Sequence, residues 1–219
     1  MSVPRKRPRQ QRSRETVTAI LESAAQLFER DGYERTTTNH VADRAGVSIG
    51  TLYQYFPNKD SLLYAIGEEH VVGLAEDMGR AFAEAGASDL PLRETVADVV
   101  RVFAHAHLQR PALHRILYDR SPRPGDTAQR LRGLQHSLGL AMAARLRRLG
   151  ATDEAGAEFL GLAFIQGVEA HVHGLLLEAP TPSAAAARLA ALEGFWVGAL
   201  TASLAARAAA GGAVAGDPG

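Results

Sequence analysis

Cysteine is absent from the 219-residue sequence, so disulfides and thiolate chemistry of any kind are excluded. No apolar run approaches the ~20 residues that cross a bilayer, so a soluble chain with no membrane partner is expected. The N-terminus has no basic stretch followed by about 7–15 apolar residues, so it does not read as a secretion signal, and a cytoplasmic location is expected. Strand signals are missing as well: β-branched residues are scarce, apolar alternation is not sustained, and Ala, Leu, Glu and Arg dominate, which favours helix. Gly46-Val47-Ser48-Ile49-Gly50 has the G-x-S-x-G spacing but no strand signal before it, so no nucleophile elbow is read there; H-E-x-x-H and the phosphate-binding P-loop do not occur, and neither an enzyme nor a cofactor is expected.

The length accommodates one small and one larger domain. Formal net charge is zero, but it is unevenly spread. Residues 1–14 carry Arg5, Lys6, Arg7, Arg9, Arg12 and Arg14 with no acid, and the first 60 residues hold 10 basic against 7 acidic groups. The remainder is correspondingly acidic. Such an arm either neutralises nucleic-acid phosphates, releasing counterions, or is a solvated tail.

Along the chain, Val17, Ile20, Leu21, Ala24, Leu27 and Phe28 recur at helical spacing, which predicts a helix over 15–30 stopped by Gly32. Thr36, Thr37 and Thr38 supply an N-cap for a second helix over 38–45. Gly46-Val47-Ser48 breaks it, and Ser48 can cap a third, short helix that carries Leu52 and Phe56. A long helix is predicted over 59–83, with others over 92–109, 112–120, 127–148, 153–178 and 183–207. The breaks between them are Pro111, the 121–125 Pro/Gly segment, Gly150 and Pro180-Thr181-Pro182.

A helical wheel started at Ile49 puts Leu52 and Phe56 at about 300° and 340°, and Gly50, Gln54 and Thr51 at about 100°, 140° and 200°. One face is apolar and the opposite face small and polar; Tyr53 and Tyr55 fall on the two flanks. A helix enters the ~12 Å major groove only if its leading face is not bulky. Gln54 can then read base edges while the tyrosine hydroxyls reach phosphates. Lys59, at the start of the next helix, adds a cation beside backbone N–H groups.

The run Gly32, Thr36-Thr37, Val41-Ala42, Ala45-Gly46-Val47-Ser48, Gly50-Thr51-Leu52-Tyr53-Gln54-Tyr55-Phe56, Asn58-Lys59 and Leu62-Leu63 resembles the DNA-binding domain of the TetR family over residues 14 to 74. The resemblance implies backbone contacts from Thr38, Tyr53, Tyr55 and Lys59 and base contacts from Asn39, Gly50, Thr51 and Gln54, with Ser48 beside them. Ile49 reads either as a thymine-methyl contact or as packing, the wheel placing it nearer the core. His40 stands where the family often has an acid completing a capping box, which weakens that cap or adds charge toward DNA at low pH.

The implied architecture is all-α: a three-helix DNA-binding domain followed by a larger helical ligand-binding and dimerisation domain. The expected divisions are a flexible basic arm (1–13), the DNA-binding domain (14–74, with its helix-turn-helix at 37–56), the larger domain (75–207) and a disordered Ala/Gly-rich tail (208–219). The expected function is that of a sequence-specific transcriptional regulator. In this reading a homodimeric repressor binds palindromic operator DNA and is released by a small molecule; a ligand-independent regulator or an activator is the alternative.

In the larger domain, Phe159, Leu162, Gln166, Glu169, His173 and Leu176 form one stripe, and Leu189, Leu192, Trp196, Ala199, Leu200 and Leu204 another. Gly161, Gly167, Gly174, Gly194 and Gly198 sit inside these helices although glycine costs about 1 kcal/mol relative to alanine, which suggests close helix approach. Helices 153–178 and 183–207 are therefore the expected dimer interface, an intramolecular core being the other reading. His105/His107 and His171/His173 are i, i+2 pairs that diverge by about 200°, so no metal is expected, whereas Glu169 and His173 are spaced to pair. Candidate ligand contacts are Phe103, His107, Leu117, Tyr118, Phe164, Gln166 and Glu169, each of which also reads as core.

Overall fold

A computed structural model of the chain describes residues 11–87, 90–120, 125–150 and 153–214. Most of the basic arm, the 121–124 break and residues 215–219 of the expected tail lie outside the described residues. Among those described, all regular structure is helical. The helices are α1 (Gln11–Asp31), α2 (Thr38–Ala45), α3 (Ile49–Tyr55), α4 (Lys59–Ala87), α5 (Leu92–Leu108), α6 (Pro111–Arg120), α7 (Gly125–Arg148), α8 (Glu154–His171) and α9 (Pro182–Val214). After α8 the backbone continues as one π-helical turn, Val172–Leu176, closed by Leu177 N–H donating to the Val172 carbonyl at 3.0 Å.

Several boundaries differ from expectation: α4 runs to Ala87 rather than 83, and α8 ends at His171 before the π-helical turn rather than at 178. α1 begins four residues early, at Gln11. α9 runs on to Val214, so residues 208–214 are helix rather than disordered tail. Alanine, the strongest helix former, fills that stretch and outweighs Gly211 and Gly212.

The chain divides into two compact units, one of residues 1–73 and 110–128, the other of 74–109 and 129–219. The core of the first is Ile20, Leu21, Ala24 and Phe28 of α1, Val41 and Ala42 of α2, Leu52 and Tyr55 of α3 and Leu62 and Leu63 of α4. Leu113 and Leu117 of α6 complete it. α6, expected in the larger domain, belongs instead to the first unit. Burial drives this: two leucines contribute about 1.5–3 kcal/mol each. The flanking ion pairs, Arg110 with Glu22 and Arg120 with Glu34, are exposed and contribute about 0–1 kcal/mol. Arg110 nevertheless holds the Glu22 carboxyl below its usual range.

The second unit packs Val96, Val99, Val100 and Phe103 of α5, Met142 and Leu146 of α7, Phe164, Ile165 and Val168 of α8 and Leu192 and Leu200 of α9 into one core. Two of the five glycines singled out in α8 and α9 are explained by helix approach within the chain. A side chain at Gly161 would collide with the Gly139 carbonyl and stand 2.9 Å from the Ala143 nitrogen, and one at Gly167 would collide with the Trp196 indole. Gly174, Gly194 and Gly198 have nothing within 4 Å of a would-be Cβ. Both helices are long and apolar enough by composition to cross a bilayer, contrary to the reading of short apolar runs, because their charges are widely spaced.

His107, 3% exposed, donates from Nδ1 to the Phe103 carbonyl at 2.7 Å, and burial pushes its pKa down. Its ring meets that of His173 edge to face, with centroids 4.7 Å apart.

Gly161→Ala should lower the melting temperature by about 3–10 °C, the equivalent of about 1–3 kcal/mol of overpacking. Gly79→Ala, at an open helical position, should not lower it. Equal melting of Gly161→Ala and the parent would refute the close α7–α8 contact. Because burial lowers the His107 pKa in the folded state, the unfolded chain takes up a proton below about pH 6.5 more readily than the native state does. Stability is therefore complete above that pH and declines below it. Melting curves between about pH 8 and 5 should show this fall, and His107→Gln should flatten it; an unchanged slope in the variant would remove His107 as its source.

Candidate nucleic-acid interface

The bounds of α2 and the start of α3 are set by three residues. Thr37 caps α2, its hydroxyl accepting from His40 N–H at 3.2 Å, so the cap forms without the acidic partner that His40 replaces. Gly46 ends α2 with φ +66°, a left-handed conformation that side-chain-bearing residues resist, and Val47 N–H closes back on the Ala42 carbonyl at 3.0 Å. Ser48 then caps α3, accepting from Thr51 N–H at 3.0 Å, and its hydroxyl also lies 2.8 Å from that of Thr51.

This turn leaves Asn39, Ser48, Ile49, Gly50, Tyr53 and Gln54 exposed, with Thr38 and Thr51 half-buried beside them. Leu52 and Phe56 point inward, as the wheel expects, although Phe56 is the C-cap and not part of α3. Ile49 is 36% exposed, which places it on the open side and overturns the reading that it sits nearer the core. The Tyr53 hydroxyl lies 3.1 Å from that of Thr38, linking the start of α2 to the middle of α3. At Gly50 a Cβ would meet only the Ser48 hydroxyl, at 3.8 Å, so packing within the chain does not require glycine there.

Two expected phosphate contacts stand elsewhere. Tyr55 is not on an open flank: its ring is 8% exposed within the first unit's core, and its hydroxyl lies 2.7 Å from that of Ser13. The wheel missed this because α1, more than forty residues earlier, closes over the end of α3. Lys59 is half-buried, its ammonium donating to the carbonyls of Tyr33 (2.6 Å) and Glu34 (3.3 Å) and lying 4.1 Å from the centre of the Tyr33 ring. It pins the α1–α2 loop to the start of α4. Asn58 and Ser61 cap that helix reciprocally, Ser61 N–H donating to Asn58 Oδ1 at 2.9 Å and Asn58 N–H to Ser61 Oγ at 3.3 Å. The S/N-x-x-S spacing was the available sequence signal.

The candidate ligand contacts do not form one group. Phe103, His107 and Phe164 are inside the second unit. Glu169 is half-buried at its margin and accepts from Gln135, a partner that sequence spacing could not reveal. Gln166 is exposed, its side chain leaving α8 on the outer face. Leu117 belongs to the first unit's core and Tyr118 is 52% exposed, so α6 removes both from the set. In the first unit the rings of His70 and His114 meet with centroids 4.3 Å apart, a pairing between helices that i, i+2 arguments cannot detect.

Comparison with known proteins places these features in context. Residues 20–66 match the family model described as bacterial regulatory proteins, tetR family, and residues 91–193 match that of the tetracyclin repressor-like C-terminal domain. The transcriptional repressor KstR2 of Rhodococcus jostii is 35% identical over 83 residues, 38% of this chain and 39% of that protein. The repressor KstR of Mycobacterium tuberculosis is 46% identical over 57 residues, 26% of each. The aligned region thus spans well under half the length of these relatives. The fold is similar to that of the fatty acid degradation regulator FadR from Bacillus halodurans, with a TM-score of 0.61 and 17% identity, covering 88% of this chain and 97% of that one. A TetR/AcrR-family regulator from Thermobifida fusca superposes with a TM-score of 0.64 at 17% identity, covering 82% and 95%. The relatives are regulators rather than enzymes. With both its N-terminal and C-terminal parts matched, the chain belongs to the TetR family of bacterial regulatory proteins.

Proposed function

We propose that the chain is a cytoplasmic transcriptional repressor whose homodimer inserts two copies of α3 into successive major grooves of a two-fold operator and is released by a small molecule. The observation that carries the DNA reading is Gly50. It occupies an exposed position of α3 where, among the described residues, no neighbour requires glycine, and glycine weakens a helix by roughly 0.5–1 kcal/mol relative to alanine. Close approach of an outside surface explains its presence. Ile49, Thr51 and Gln54 border it, suited to thymine methyls and base edges, and the linked hydroxyls of Thr38 and Tyr53 stand to one side for phosphate. Repression is carried over from KstR2 and KstR.

Dimerisation is supported by the outer surface of α8 and α9. Phe159, Leu175 and Phe195 are 67%, 46% and 57% exposed, and only 11% of the most apolar window of α9 is buried within one chain. Phe159, expected to be buried with its stripe, is instead an apolar group awaiting cover. Gly194 and Gly198 lie on the same helix with open space before them. A second copy related by a two-fold axis would cover this face and set the recognition helices about one DNA turn, ~34–36 Å, apart. Release by a small molecule is the family's expectation; the second unit offers two polar pairs to orient one, His107 with His173 and Gln135 with Glu169. A coupling of ~1–3 kcal/mol would change operator affinity about 5–150-fold.

Gel-shift titrations with DNA flanking the chain's own gene should give a complex that resists random competitor; none with any natural sequence would refute the reading. Gly50→Ala should raise thermal stability yet weaken the complex, opposite signs that a purely structural glycine would not give. Tyr53→Phe should weaken binding to all sites alike, whereas Gln54→Ala should change preference at particular base pairs. Light scattering should find twice the 23.3 kDa chain mass. Phe195→Asp should halve it with helical content retained, and an unchanged mass would place the interface elsewhere.

A further inference from the structure

We infer that the seam between the π-helical turn after α8 and the first half of α9 is a binding groove for a small aromatic monocarboxylate. The inference concerns the second unit alone and does not depend on the DNA reading. His171, Gly174 and Leu175 on one side and Arg188, Leu192 and Phe195 on the other line a groove of about 620 Å³, a size that suits small organic ligands. None of these residues belongs to the two polar pairs named above. Both sides follow helical spacing, so the groove runs along the two segments for about two turns, roughly 10 Å. Its ends differ. At one, the rings of His171 and Phe195 meet edge to face, with centroids 5.9 Å apart. At the other, the Arg188 guanidinium donates to the Leu175 carbonyl at 2.7 Å.

The walls are largely apolar, and the polar groups set among them call for an anion. Among the described residues Arg188 pairs with no carboxylate, and its bond to Leu175 anchors a planar fork of donors at the groove. That carbonyl belongs to the π-helical turn, a rare interruption found frequently at functional sites. His171 Nδ1 is buried with no hydrogen-bond partner, as is Nε1 of the neighbouring Trp196. An unmade bond on a buried nitrogen is costly, and a turn of the imidazole toward an acceptor in the groove would relieve it. Gly174 has nothing within 4 Å of a would-be Cβ, which keeps the groove open above the turn. Glu178, also on the rim, is already engaged, and its charge disfavours a second carboxylate. A carboxylate against Arg188 with an aromatic body lying along Leu192 toward Phe195 matches both ends. Leu175 and Phe195 also belong to the face assigned above to a second copy, so the groove borders that interface.

Trp196 is the chain's single tryptophan and its ring centroid lies 5.2 Å from that of Phe195, so its fluorescence reports on this groove. The test titrates the full chain at constant ionic strength with 4-phenylbutyrate and with 4-phenylbutanol, the same frame without charge. The carboxylate should give a saturable change and bind about tenfold tighter than the alcohol, the contribution of a charge-assisted hydrogen bond. Arg188→Gln should remove that difference by weakening the carboxylate alone. Ala191→Leu, at an exposed position lining the groove, should weaken both while circular dichroism stays that of the parent. No saturable response to the carboxylate, equal affinities for the two compounds, or an unchanged preference in R188Q would overturn the inference. So would an A191L chain that changes its light-scattering mass while binding as the parent does, since a second copy would then fill the groove. The titrations contain no DNA, so their failure leaves operator recognition by α3 intact, and failure of the gel shifts leaves this site intact.

Discussion

The left-handed turn at Gly46 governs the first unit. With φ at +66°, it lets α2 stop abruptly and Val47 N–H fold back on the Ala42 carbonyl, so that α3 starts at Ile49 after only three intervening residues, the last of them its cap Ser48. Every feature of the interface follows from that change of direction. Leu52 and Phe56 are turned into the core against Ile20 and Phe28, which leaves Ile49, Gly50, Thr51 and Gln54 facing outward. A Cβ at Gly46 would strain the backbone at the point where the angle between the two helices is set. The Ser48 cap then satisfies an N–H group at the start of α3 that this reversal would otherwise strand, as Thr37 does at the start of α2.

Cations are sorted just as sharply as apolar groups. Most arginines of the first unit, and its described lysine, are used internally: Lys59 to hold the α1–α2 loop, Arg110 and Arg120 to flank α6 where Leu113 and Leu117 dock. These exposed pairs contribute little to stability compared with the leucines they frame. α3, by contrast, carries no charged side chain.

Local periodicity made most of the helices legible, because each carries either an apolar stripe or a cap and stop within its own sequence. The bounds of α2 could be read to the residue from Thr37 and Gly46. Whatever depended on distant chain segments was not legible. Tyr55 reads as a flanking group on a wheel, but Ser13 of α1 closes over it; Lys59 reads as a free cation, but carbonyls of the α1–α2 loop claim it. Leu117 was assigned to a ligand site because the order of helices gives no sign that α6 returns to α1. Phe159 shows the limit from the other side: its helical spacing places it in an apolar stripe, yet within one chain it stays open, and spacing alone does not tell an internal core from an outer face.

The central claim is that the open face of α3 reads base edges in the major groove. Methylation interference on the operator duplex tests it directly, because dimethyl sulfate modifies guanine N7 in the major groove and adenine N3 in the minor groove. The account predicts that N7 methylation blocks binding at guanines in two clusters centred about one helical turn apart. Interference confined to adenine N3, or none at any guanine of a protected site, would contradict it.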